Sequence, residues 1–161
     1  MAKKVLTKDM WEFKDTNGHC YPYYFIPYHH MQHPSDDKSI WTINRDDEFL
    51  LFEASYVLDK FARSTFNLLI ANGEAQPIGL GKNGSGEIKL FLCRFINERS
   101  EQGTPWHGYP INHMDQNRER PLTDFYESGP GSLLCPHDLK RLKRGKPLLR
   151  VMKYTQVGQL K

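Results

Sequence analysis

The ten residues EIKLFLCRFI, Glu87 to Ile96, place the first constraint on the fold. In a pleated strand Ile88, Leu90 and Leu92 share one face and Lys89, Phe91, Cys93 and Phe95 the other, so only Lys89 interrupts an apolar surface on both sides. A strand of this kind is central and needs cover on each face. Just ahead of it, Lys82 to Gly86 reads KNGSG, and its Asn83-Gly84 pair favours a tight hairpin.

Three other segments combine β-branched and aromatic residues between turn signals and read as strands: Tyr21 to Tyr28, Ser39 to Asn44, and Glu48 to Glu53. Asn44 to Asp47, NRDD, has the residues of a hairpin connection. Pro22 and Pro27 confine Tyr21 to Tyr28 to a sheet edge, because proline offers no donor to a ladder. The spacing of Val57, Leu58, Phe61, Thr65, Leu68 and Leu69 predicts a helix over about 54–72, with Gly73 placed for a left-handed cap. Short helices are expected at 121–127 and 136–144. No strand–helix–strand alternation is present, so the reading is α+β: a mostly antiparallel sheet, one main packed helix and short C-terminal helices.

A chain of 161 residues, 39% hydrophobic and 25% charged, suits a single domain over 1–161 and needs no metal or disulfide to hold its core. No apolar run is long enough to span a bilayer, and the first residues lack the apolar stretch of a signal peptide. Cys20, Cys93 and Cys135 form no CxxC pattern. These features predict a cytoplasmic protein that does not meet membranes; delivery by a secretion system that needs no cleavable signal is the alternative.

Histidine is unevenly placed. Of the seven, His19, His29, His30 and His33 precede residue 39, and His107 and His113 fall in a long irregular loop at about 97–120. If these segments meet, imidazoles converge beside Tyr21, Tyr28, Trp106 and Tyr109 and form a pocket with proton-active and flat apolar walls. His29 and His33 in YHHMQHP are candidate ligands of a divalent metal such as zinc, although the sequence demands no cofactor. In TPWHGYPINH, Trp106 and Tyr109 are candidates for stacking on a ligand, His107 and His113 for proton transfer, and Gly108 for a sharp bend. The other use of those aromatics is as a plug that closes one end of the sheet. Arg118 and Arg120 suit a planar oxyanion.

Charge is also uneven. Between Asp138 and Lys161 eight basic residues face Asp138 alone, so +7 resides in the tail of a chain whose total is +3. Lys140, Arg141, Lys143, Arg144, Lys146 and Arg150 are the candidate anion-binding set. The expected function is therefore a small binding module for an anionic ligand or partner, nucleic acid or acidic protein, using the His/aromatic loops and the basic C-terminal face. One alternative is a histidine-based or metal-dependent nuclease or phosphodiester hydrolase. Another is an accessory or antitoxin-like protein-interaction factor.

Overall fold

A computed structural model describes residues 3–35, 38–58, 64–71, 74–83, 86–97 and 104–111. The chain opens with an antiparallel meander of β1 (Lys4–Thr7), β2 (Met10–Lys14) and β3 (Cys20–Tyr24). A 3-10 turn, Pro27–His30, leads to the short β4 (Ile40–Trp41) and then to α1 (Arg45–Leu58). Next come β5 (Ser64–Leu68), a small hairpin of β6 (Ile70–Ala71) and β7 (Glu74–Ala75), then β8 (Gly79–Asn83), β9 (Gly86–Leu90), β10 (Leu92–Ile96) and β11 (His107–Pro110). Among the described residues, besides the small hairpin, there are three antiparallel sheets, ordered β1-β2-β3, β4-β8-β9 and β11-β10-β5. The α+β architecture with one main helix is as expected, and among the described residues no helix is long and apolar enough to cross a membrane.

The helix is displaced from its expected position. It spans Arg45–Leu58 rather than 54–72, and residues 64–68 are a strand. Asn44, expected in a hairpin, caps this helix: its side-chain oxygen accepts the Asp47 amide at 2.8 Å. Asp46, Asp47 and Glu48 follow in the first turn, where carboxylates meet the positive end of the helix dipole. Glu48 to Glu53, expected as a strand, is helical because burial repeats at Glu48, Leu51, Phe52 and Ser55, one helical face. Downstream, the apolar residues at 65–69 fit a helical period by spacing alone; pairing of β5 with β10 along its length decides the matter.

Residues 87–96 form two strands rather than one. The chain leaves the β4-β8-β9 sheet after Leu90, turns at the fully buried Phe91, and enters the β11-β10-β5 sheet. The expected cover on both faces is present, since Leu92, Cys93 and Phe95 are each 0% exposed. The β8–β9 connection is the expected hairpin, with Asn83 opposite Gly86.

The expected loop at about 97–120 contains β11, whose residues pair with β10 in the register Phe95↔Gly108 and Arg94↔Tyr109. Two prolines and a glycine hide this strand from any pattern based on side chains. Pro22 tolerates its place in β3 because its carbonyl, and with it the ring nitrogen, lies on the edge away from β2; there the carbonyl accepts the Trp106 amide at 2.8 Å. Phe52 of α1 gathers the core, with ring centroids at 4.8 Å from Tyr23, 5.5 Å from Phe95 and 5.6 Å from Trp106.

Gly108 serves close approach and not the bend expected of it. A Cβ there would lie 2.3 Å from the Phe95 ring and 2.9 Å from the Tyr23 hydroxyl. Gly108→Ala is therefore expected to cost about 1–3 kcal/mol or more, read as a lowered urea midpoint with unchanged slope.

Candidate functional site

The two histidine-bearing stretches meet. The segment Ser39–Trp41 joins them: the His29 Nδ1–H donates to the Ser39 carbonyl at 2.7 Å, the Ser39 hydroxyl donates to the Pro110 carbonyl, and the Trp41 indole N–H donates to the Gly108 carbonyl at 3.3 Å. The His29 ring lies stacked on Tyr109, with centroids 5.4 Å apart and planes 16° apart, and Tyr28 adjoins it at 4.5 Å. Lys38 places its ammonium 4.7 Å over the Tyr28 ring. Ser35 and Lys38 hold each other, the Lys38 amide donating to the Ser35 hydroxyl and the Ser35 amide to the Lys38 carbonyl, which fixes the root of that lysine.

His29 is buried, and burial is the main reason its protonation falls from 6.5 to about 4. The hydrogen bond to Ser39 acts the other way, while the neighbouring Lys38, His107 and His30 depress it further. A neutral ring with Nδ1–H committed to a carbonyl keeps its lone pair on Nε2.

Beneath this corner lies a second arrangement. Glu48, on the first turn of α1, is 0% exposed. The Tyr23 hydroxyl, also fully buried, donates to its Oε2 at 2.5 Å. His30, the last residue of the 3-10 turn, sets its Nε2 3.0 Å from Oε1. That contact has ion-pair distance without the angle of a directed hydrogen bond, so Oε1 and Nε2 are both buried with no hydrogen-bond partner. Burial raises the protonation range of Glu48 against the pull of His30, Tyr23 and Arg45. Burial, reinforced by Glu48, also holds the Tyr23 phenol well above its ordinary value.

Of the expected site residues, His29, His107 and Tyr109 are brought together. His107 is half-buried on β11 and near enough to disfavour charge on His29. Trp106 is 3% exposed and packs on Phe52, so its ring belongs to the core, the plug use of that residue. His33 stands on the surface, 77% exposed, with Nδ1 3.2 Å from a Glu87 carboxylate oxygen. Among the described residues no group of three or more His, Cys, Asp or Glu is placed to hold a metal ion. His113, Arg118, Arg120, Lys140, Arg141, Lys143, Arg144, Lys146 and Arg150, with the two short helices expected near them, lie outside the described residues. Glu48 and Tyr23 escaped sequence reasoning. With the helix set to begin after Asn44, Glu48 falls on the face of Phe52 and Ser55, and a carboxylate on a buried face was the available signal. Comparison with protein-family models, with curated proteins and with solved structures finds no match to this chain.

Two outcomes follow from this geometry. The folded chain keeps His29 neutral down to about pH 4, whereas the unfolded chain takes up that proton near 6.5. Unfolding therefore binds a proton between those values, and this contribution, whole above 6.5, drains away as pH falls to 4, about 3 kcal/mol in all. Glu48 slopes the other way, its stabilisation falling as pH rises above the ordinary carboxylate range. In urea titrations compared across this acid range, His29→Gln is expected to lose less stability than the parent chain. Tyr23→Phe removes the donor to a buried carboxylate oxygen and is expected to cost about 1–3 kcal/mol by the same measurement.

Proposed function

We propose that this protein is a small binding module for an anionic partner, and that nucleic acid is the class its exposed groups suit best. The observation that carries the reading is the Tyr28 ring, 46% exposed, with the Lys38 ammonium over it and the His29–Tyr109 stack beside it. The exposed part of an aromatic ring stacks on a base, and a cation held against that ring meets a phosphate. The basic residues of the C-terminal segment would add sequence-independent attraction to the same ligand. Cys20 and Cys93 are free thiols, consistent with a cytoplasmic setting for such a module. An acidic protein is the other partner these cations would take, but it does not pair a planar ring with an anion at every residue as a nucleotide does.

Fluorescence anisotropy with labelled single-stranded RNA, and in parallel with a labelled acidic peptide, tests this. Tyr28→Ala is expected to weaken RNA binding roughly 5- to 150-fold, the worth of one stacked base. Lys38→Gln is expected to reduce the salt slope by about one. Unchanged RNA affinity in both variants, or preference for the peptide, overturns the nucleic-acid reading.

A further inference from the structure

The buried line Tyr23–Glu48–His30 has no part in the stacking described above. A core of this size gains little from a carboxylate at 0% exposure, since an apolar side chain would fill the space without the cost of desolvating a charge. The line is directional. Tyr23 anchors one oxygen of Glu48, the other oxygen faces His30 Nε2, and that nitrogen is itself buried while a fifth of the His30 side chain meets water. The exposed fifth of the side chain therefore lies at atoms other than Nε2.

A carboxylate behind one ring nitrogen fixes the ring's orientation and keeps the proton on that nitrogen, so the lone pair of the neutral imidazole lies on Nδ1. The Nε2–Oε1 contact is already at hydrogen-bond distance, 3.0 Å, and poor alignment of such a contact is common in sites without substrate. His30 also closes the turn that carries Tyr28 and His29, so the oriented imidazole and the stacking face share four consecutive residues, Pro27–His30.

We propose that His30 is a general base, that Glu48 and Tyr23 are its positioning residues, and that the substrate class is RNA. The proposal rests on the nucleic-acid reading above. A base requires a hydroxyl to deprotonate, and RNA carries one beside every phosphorus. His30 Nδ1 takes the proton of a 2′-hydroxyl, and the oxygen's electron pair forms the O2′–P bond. The P–O5′ bond breaks, and O5′ leaves with that bond's electron pair and takes a proton from water. His30 then releases its proton to solvent. No water is consumed and nothing is oxidised; the products are a 2′,3′-cyclic phosphate end and a free 5′-hydroxyl.

The experiment incubates the full chain with an end-labelled single-stranded RNA, with its 2′-O-methyl counterpart, and with single-stranded DNA, while anisotropy measures binding of each. Expected are cleavage of the RNA alone, cyclic-phosphate ends, and a loss of about 100-fold or more in His30→Gln purified alongside. His30→Ala is expected to regain cleavage on addition of imidazole. Glu48→Gln, with rates expressed per folded molecule from its circular dichroism and RNA-binding stoichiometry, is expected to lower kcat with KM and RNA affinity unchanged; a folded Glu48→Gln chain that cleaves at the parent rate removes its positioning role. RNA that binds but stays intact, or is cut equally by His30→Gln, overturns this inference and leaves the binding reading standing. RNA that does not bind at all overturns both.

Discussion

Between the Phe95 ring and the Tyr23 hydroxyl there is room for backbone and nothing larger, and Gly108 occupies it. With that approach allowed, β11 lies flat on β10, the carbonyl of Gly108 meets the Trp41 indole, and the Pro110 carbonyl meets Ser39. Tyr109 is thereby presented to His29, while Tyr23 remains free to reach Glu48. Gly79 repeats the device on the neighbouring sheet, where a Cβ would stand 2.4 Å from Pro110. Two missing side chains thus set the separation of the sheets, and the aromatic corner inherits its geometry from them.

Much of the architecture was legible in the sequence, though not where the pattern looked strongest. The apolar density of residues 87–96 correctly marked a core crossing, and Asn83-Gly84 marked the turn before it. That density could not show that the chain changes sheets at Phe91, because a residue buried between two strands looks like one buried within a strand. EFLLF at 48–52 satisfies both strand and helix templates, and only Asn44 with three acids behind it separates them. β11 was beyond side-chain patterning altogether: its Pro-Trp-His-Gly-Tyr-Pro context carries no alternation, and its place is fixed by backbone pairing with a strand already covered elsewhere.

The site was legible in outline through its composition. Clustered histidines and aromatics pointed to His29, His107 and Tyr109 as neighbours, which they are. Trp106 showed the limit of that reasoning, since a large ring in an irregular stretch serves equally well to fill a core, and here it does. Two buried titratable groups lie within the reach of one turn: His29 stays neutral because burial disfavours its charge, while the Ser39 carbonyl accepts its Nδ1–H, and Glu48 keeps company with a phenol and an imidazole. Their opposite responses to acid leave the corner sensitive to pH from both directions.

The bridge between Tyr23 and Trp106 closes a loop of about eighty residues, as does the stack of His29 on Tyr109. Loops of that length close late, after the local hairpins have formed. A nascent chain still awaiting residues 104–111 therefore owns every side chain of the Pro27–His30 turn, with Ser39 and Glu48 to meet His29 and His30, yet lacks the ring on which His29 stacks. An unfinished copy thus holds the turn without the tyrosine that completes its aromatic corner.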